Sequence, residues 1–311
     1  MNERKKITYI DFERMFGSIP VEVSGRVRSL LEKINTSYRE AQPAEVAEYI
    51  LNVLKLMQAP EIKRSVKENF SAWEKGWGEQ LKSALSGNLS AQKLKPKYFR
   101  PSKFLRYNKR LISIENPNLE YDLFTAARYI LMAKYLSEYD DIYELGCGSC
   151  QNLLVFSKLF PSKRLHGLDW SSASVKITKL LNKSVNKNID GQVFDMMKAS
   201  PNIKLKPKAA IFTIHSLEQL GENHKKLLSF ILAAKPEIVV HYEPIVEFYD
   251  QENLLDYMAF VYSQKRNYLS GFWPVLCKLR EQNKIKILAA YRPHLGGVIH
   301  EASVLVWKAL K

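Results

Sequence analysis

Two histidine–carboxylate pairs are the residues in this chain best equipped to move a proton. His241 and Glu243 stand two positions apart in the run Val239-Val240-His241-Tyr242-Glu243-Pro244. Side chains two apart on an extended segment point to the same side, so the carboxylate can orient or charge-stabilise the imidazole. His215 is the rival base, followed within about one helical turn by Glu218 and Gln219. Glu218 then either orients an acceptor group or stands as a carboxylate at a helix N-terminus, where the helix dipole stabilises it. An imidazole that titrates near neutral pH suits deprotonation of a hydroxyl. Arg266 beside Asn267 and Tyr268, and Arg292 in the turn 291–301, suit an anionic or sugar-like group.

The elements that must position these residues are short apolar runs. Seven strand candidates occur in the C-terminal two thirds: 142–145, 164–168, 191–194, 209–214, 237–241, 285–290 and 302–307. The first five alternate with helical stretches, which predicts a parallel, doubly wound α/β sheet. The last two lie close together and predict an antiparallel hairpin at one end of that sheet. Open sheets of this kind bind ligands beyond the C-terminal ends of their strands, where His215, His241 and Glu243 all fall.

The first strand candidate ends in Glu144-Leu145-Gly146-Cys147-Gly148-Ser149, and Asp169 closes the second, 21 residues after Gly148. A glycine-rich turn that opens a helix brings backbone N–H groups close to a ligand, and an acid about 20 residues on can hold a ribose hydroxyl pair. The third glycine of a dinucleotide fingerprint is replaced by Gln151. Glu144 would repel a pyrophosphate, whereas it suits a ligand carrying an ammonium and a sulfonium.

These residues, with Phe194-Asp195-Met196, resemble the first three cofactor motifs of class I S-adenosylmethionine-dependent methyltransferases over roughly residues 121–311. The resemblance implies a seven-stranded Rossmann-like sheet with S-adenosylmethionine as cofactor. It implies that Gly146 and Gly148 let the chain pass near the methionine part, that Asp169 binds both ribose hydroxyls, and that Asp195 meets the adenine amino group. Trp170, directly after the ribose acid, would pack against the adenine, with Glu144 and Met196 completing the set. A fainter similarity, carried by Trp73-Glu74-Lys75-Gly76-Trp77-Gly78 and His-Tyr-Glu-Pro, is to sugar O-methyltransferases of bacterial surface-polysaccharide pathways. It implies O-methylation of a sugar or other small polar metabolite. Fold alone does not fix the acceptor.

Ahead of this domain, residues 1–95 read as a helical unit, which the resemblance implies covers the site. Pro43 suits a first helical position, and Val46, Ile50, Val53, Leu54 and Met57 form one apolar stripe. A second stripe runs through Phe70, Trp73, Trp77, Leu81 and Leu85, with a bend expected at Gly76 and Gly78. Residues 96–120 read as a basic connector. Between Lys93 and Arg110 there are eight basic residues and no acid, interleaved with Tyr98, Phe99, Phe104 and Tyr107. With a net charge of +15, this raises a second reading, an RNA methyltransferase that tracks phosphates along 93–110. A third is a methyltransferase-like scaffold or cofactor sensor without turnover, against which the intact cofactor set argues.

Several absences narrow the field. No apolar run approaches the length of a membrane span, and the basic N-terminus is not followed by a signal-peptide core. The expected setting is cytoplasmic, with reduced thiols. Of three cysteines, Cys147 and Cys150 form a Cys-x-x-Cys pair, but no second pair lies at zinc-finger spacing, so no metal site is expected. No Asn-Pro-Pro-Tyr or Asp-Pro-Pro-Tyr run follows the fourth strand and no Pro-Cys nucleophile occurs, which leaves an oxygen acceptor as the leading option.

Overall fold

A computed structural model describes residues 3–62, 66–87, 89–199 and 203–310. The chain opens with β1 (Lys5–Lys6), α1 (Tyr9–Phe16), α2 (Val21–Lys33), β2 (Ser37–Glu40), α3 (Pro43–Gln58) and α4 (Val66–Leu85). Pro43 occupies the first turn of α3, where its missing N–H costs nothing. Helix α4 runs through Gly76 and Gly78 without a break. A Cβ at either glycine would meet nothing within 4 Å, so neither is there to admit a neighbour.

The segment expected as a basic connector contains a β-hairpin, β3 (Phe104–Tyr107) and β4 (Arg110–Ile114). Its two-residue turn, Asn108-Lys109, has φ of 48° and 61°. That is the double left-handed geometry which matches strand twist, and asparagine tolerates it. The hairpin had been hidden by its charge: Phe104, Leu105, Tyr107, Leu111 and Ile112 are buried, and the basic residues lie between them. Residues 1–95, expected as a helical unit, hold two short strands beside their helices, since β1 and β2 join this hairpin in a five-stranded sheet of order β1-β2-β4-β3-β11. Its last member, β11 (Leu295–Gly296), comes from the far end of the chain.

Helix α5 (Leu119–Leu136) leads into the main sheet, which continues as β5 (Asp141–Leu145), α6 (Gln151–Leu159), β6 (Arg164–Asp169), α7 (Ser172–Ser184), β7 (Ile189–Val193) and β8 (Ala210–Ile214). After α8 (Lys225–Ala234) come β9 (Ile238–Glu243), α9 (Leu254–Arg266), α10 (Phe272–Glu281), β10 (Ile285–Tyr291) and β12 (Ser303–Ala309). The seven strands lie in the order β10-β12-β9-β8-β5-β6-β7. Pairing is parallel from β9 to β7 and antiparallel for β12 with both β9 and β10.

Near-continuous apolar strands suit a sheet covered on both faces. One face packs Ile142, Leu165, Phe212 and Val240 against α5 and α6, and the other packs Leu145, Ile211, Val239 and Trp307 against α8 and α10. The chain leaves β5 toward β6 and β7, then returns to β8 on its other side. The crevice of this topological switch therefore opens beyond the C-terminal ends of β5 and β8.

Candidate functional site

The residues at that crevice come from the turn after each parallel strand. Gly146 and Gly148 follow β5 with φ of 75° and 51°, the left-handed region that glycine enters without strain. Close packing adds a second requirement. A Cβ on Gly146 would collide with the side chain of Ser216, and one on Gly148 would lie 2.8 Å from the ring of Trp77. Asp169, at the end of β6, accepts the Gly148 N–H on Oδ2 and the Ser171 N–H on Oδ1, each at 2.8 Å. It thereby ties the first two turns together. Burial pushes its carboxyl up to about 6 despite these donors.

Trp170, Asp195 and Met196 line the same pocket as Gly146, Gly148 and Asp169. Trp170 meets Phe70 edge to face, with ring centroids 5.3 Å apart. Asp195 accepts the Met197 N–H and pairs with Lys198 at 3.2 Å. Glu144 is 1% exposed, and Asn152 donates to its Oε1 at 2.7 Å. Burial pushes its carboxyl up to about 8. Its Oε2 has no hydrogen-bond partner among the described residues, and Glu144 lines neither the pocket nor the cleft beside it.

A second, larger cleft of about 700 Å³ adjoins this pocket. Trp73, Trp77, Tyr98, Phe99, Phe124 and His215 line both spaces. Trp73 and Trp77 stack with centroids 5.2 Å apart, so one face of α4 forms an aromatic wall across the junction. Glu74, between them, accepts the N–H and hydroxyl of Ser172 at 3.1 and 2.8 Å and fastens α4 to the start of α7. Pattern reading found the tryptophans but missed Phe124, whose place follows only from how α5 crosses the sheet.

His215 sits at the junction with φ of 50°, a conformation that turns the chain sharply out of β8. Its Nδ1 lies 3.6 Å from Glu218 Oε2, and His300 Nε2 lies 3.6 Å from the same oxygen. Burial would lower the His215 pKa, but the carboxylates of Glu218, Glu243 and Glu120 outweigh it and raise the value. Burial pushes His300 down to about 4. Glu218 is 8% exposed, and its Oε2 makes no hydrogen bond among the described residues. His300 was overlooked in the sequence because it lies in the turn 291–301 beyond any strand, brought back to the site by β11.

His241 and Glu243 do not form the expected pair. His241 is fully buried, its Nδ1 2.9 Å from Thr213 Oγ1, and its Nε2 accepts the Trp307 indole N–H at 3.0 Å. It lines neither space, and burial drives its pKa down to about 3. Glu243 instead accepts the Ser216 N–H at 2.9 Å, and burial pushes it up to about 7. Residues two apart share a side of a strand but stand roughly 6.6 Å apart along it. Different neighbours therefore claim each one.

Arg292 is likewise corrected. Its guanidinium bonds both Asp256 oxygens at 2.6 and 2.8 Å and pairs with Glu301 at 3.0 Å, all buried. Arg266 and Tyr268 do line the larger cleft, where Arg266 donates to Ile62 O at 3.0 Å and to the Tyr268 hydroxyl at 3.3 Å. Four of the eight basic residues in 93–110 pair with carboxylates. Lys97 pairs with Glu79, Lys109 with Asp250, Arg110 with Glu40, and Arg106, fully buried, with Asp256 and Glu301. The Cys147 and Cys150 sulfurs lie 3.8 Å apart as buried free thiols.

The strand order, with antiparallel β12 inserted between β9 and β10, is the seven-stranded Rossmann-like sheet that the resemblance implies. No protein-family model matches the chain, and no curated protein matches it. Among solved structures, it is similar to an O-methyltransferase from neocarzinostatin biosynthesis, crystallised with S-adenosylmethionine and 2-hydroxy-5-methyl naphthoic acid. There the identity is 14%, the TM-score 0.43, and the alignment covers 62% of this chain and 58% of that one, under two thirds of its length. A geranyl diphosphate methyltransferase aligns at 10% identity and a TM-score of 0.46, over 63% of this chain and 92% of that one. Magnesium protoporphyrin IX methyltransferase from Synechocystis aligns at 10% and 0.45, over 62% and 83%. Among the described residues, no helix is long and apolar enough to cross a membrane.

Proposed function

We propose that this chain is an S-adenosylmethionine-dependent methyltransferase acting on a hydroxyl of a small polar, sugar-like molecule. The observation that carries this reading is the continuity of the two spaces. The turns after β5, β6 and β7 form one pocket, the larger cleft adjoins it, and His215 with the aromatic wall of α4 borders both. Glu144, Gly146, Gly148, Asp169, Trp170, Asp195 and Met196 hold the cofactor in this reading. Arg266, Tyr268 and Glu218 hold the acceptor, and residues 1–95 cover the site.

Methyl transfer to oxygen is an in-line displacement at a carbon the sulfonium has already activated. Alignment of the two reactants supplies the larger share of the barrier reduction, about 7–11 kcal/mol. Activation of the hydroxyl contributes roughly 10²- to 10⁴-fold. The cluster of His215, Glu218 and His300 lies where that activation is needed, whereas His241 is sealed in the core.

The reading is tested by calorimetric titration of the purified protein with S-adenosylmethionine and S-adenosylhomocysteine, at two salt concentrations and with and without bulk RNA. Micromolar cofactor affinity indifferent to RNA and salt is the expected result. No cofactor binding would overturn it. Steeply salt-dependent RNA binding would favour an RNA acceptor.

A further inference from the structure

The geometry of His215, Glu218 and His300 points to a divalent-cation site, and we infer that these three side chains bind a first-row transition cation at the acceptor end of the cofactor pocket. The inference rests on the methyltransferase reading for its role, but the site itself is defined by the donors alone. One ligand atom from each residue lies within 4.8 Å of the others, and both imidazoles approach the same Glu218 oxygen at 3.6 Å. Tetrahedral ligands at about 2.0–2.1 Å stand roughly 3.3 Å apart, so a cation would draw these donors together by about 0.3 to 1.5 Å.

A second observation points the same way. Glu218 is more than nine-tenths buried, and its Oε2, the oxygen facing both rings, accepts no hydrogen bond among the described residues. A buried carboxylate oxygen without a donor is costly unless a cation satisfies it. His300 Nδ1 is also buried without a hydrogen-bond partner among the described residues. Two imidazoles and one carboxylate suit zinc, iron, cobalt or nickel better than magnesium, which prefers oxygen. Three protein ligands leave positions open, as catalytic sites do.

His215, Glu218 and His300 line the same cleft as Tyr262, Arg266 and Tyr268, so a cation they held would be open to it. There the cation would take the acceptor hydroxyl as a ligand and lower its pKa. The hydroxyl proton passes to water in the cleft, the oxygen lone pair forms the new O–C bond, and the S–C bond breaks to leave neutral S-adenosylhomocysteine. None of the three ligands then serves as the base.

The test is an absorption titration of chelator-treated protein with Co2+, accompanied by calorimetry with Zn2+. One equivalent of Co2+ with visible d–d bands of a four- or five-coordinate site is expected, with affinity weakened tenfold or more in Glu218→Gln and in His300→Ala. Circular dichroism verifies that both variants fold. Absence of binding, bands unchanged in both variants, or near-ultraviolet sulfur-to-cobalt bands that assign the ion to Cys147 and Cys150 would each overturn the site. S-adenosylmethionine titration of the same stripped protein separates the two readings. Cofactor binding without Co2+ binding removes the cation alone, whereas Co2+ binding at these ligands without cofactor binding keeps the site and removes the methyl-transfer role.

Discussion

Trp307 donates its indole N–H to Nε2 of His241 across 3.0 Å, and this bond settles what that histidine does. With Nε2 accepting, the ring proton of the neutral imidazole resides on Nδ1, 2.9 Å from the hydroxyl oxygen of Thr213. Both nitrogens are spent between β8, β9 and β12, three strands of the central sheet. His241→Ala should therefore leave turnover and cofactor affinity unchanged while lowering stability by about 1–3 kcal/mol, the cost of an unsatisfied buried indole N–H, with a further loss from the cavity. Denaturant unfolding beside a methyl-transfer assay checks this. A variant that is stable but inactive would restore His241 as a base.

In the proposed ribose role, Asp169 would carry the pH dependence of cofactor binding. Its folded-state carboxyl lies near 6, above the roughly 3.9 of an unfolded aspartate, so folding takes up a proton between those values. Stability from this group is accordingly present at low pH and lost as pH rises through that window. In that role the two ribose hydroxyls would require the ionised form, which would give affinity the opposite slope. S-adenosylmethionine should bind about tenfold more weakly at one pH unit below 6 than at neutral pH, and binding should release a proton at pH 5.5. Asp169→Asn should bind weakly with no such slope. A flat wild-type profile from pH 5 to 8 would remove Asp169 from the ribose role.

The main sheet was legible because its strands are buried on both faces and read as apolar runs. All seven candidate segments contain strands, displaced by no more than about two residues at their ends. The turns after β5, β6 and β7 were legible for a related reason. Gly146, Gly148 and Asp169 answer local demands of backbone conformation and hydrogen bonding, and those demands leave a local pattern. The small sheet was not legible. Its strands come from residues 5–6, 37–40, 104–114 and 295–296, and no local periodicity announces a pairing between positions nearly 200 residues apart. The His241 assignment failed on the same ground: Thr213 and Trp307 reach it from other strands, and sequence spacing contains neither contact. His300 joins His215 and Glu218 only because β11 ties its loop to β3.

Arg106, Arg292, Asp256 and Glu301 form a buried ion network that links the small sheet to the insertion between β9 and β10. Asp256 accepts from both arginines, and both arginines also approach Glu301 Oε1 at 3.0 Å. Burial alone would raise the Asp256 carboxyl, but the hydrogen bonds from Arg292 and the charges of both guanidiniums hold it below the usual aspartate range. Removing one member strands charges that the core cannot solvate. Asp256→Ala should cost about 3–5 kcal/mol, read as a shift in the denaturant midpoint. Arg292→Ala should weaken acceptor use only in proportion to the folded fraction. A fully folded Arg292→Ala protein with a raised KM for acceptor would return that side chain to substrate binding.

Trp73 and Trp77 stack on one another but touch different parts of the site, and this predicts that their substitutions separate. Trp77 lies against Gly148, whose absent side chain leaves space the indole fills, so it presses on the turn that would carry the methionine end of the cofactor. Trp73 is not among the nearest neighbours of Gly148: its Nε1 donates to Gln219 Oε1 at 3.4 Å and its ring meets Tyr98 at 6.4 Å between centroids. An aromatic pair contributes about 0.5–1.5 kcal/mol beyond the area it buries, a factor of roughly 2 to 12 in a binding constant. Trp73→Ala should raise the acceptor KM by that factor while the cofactor Kd moves less than about twofold. Trp77→Ala should raise both. Calorimetry with S-adenosylhomocysteine measures the second quantity without any acceptor. If Trp73→Ala weakened cofactor binding as much as Trp77→Ala does, α4 would act as one rigid cover, and the division of the junction into a cofactor side and an acceptor side would be wrong.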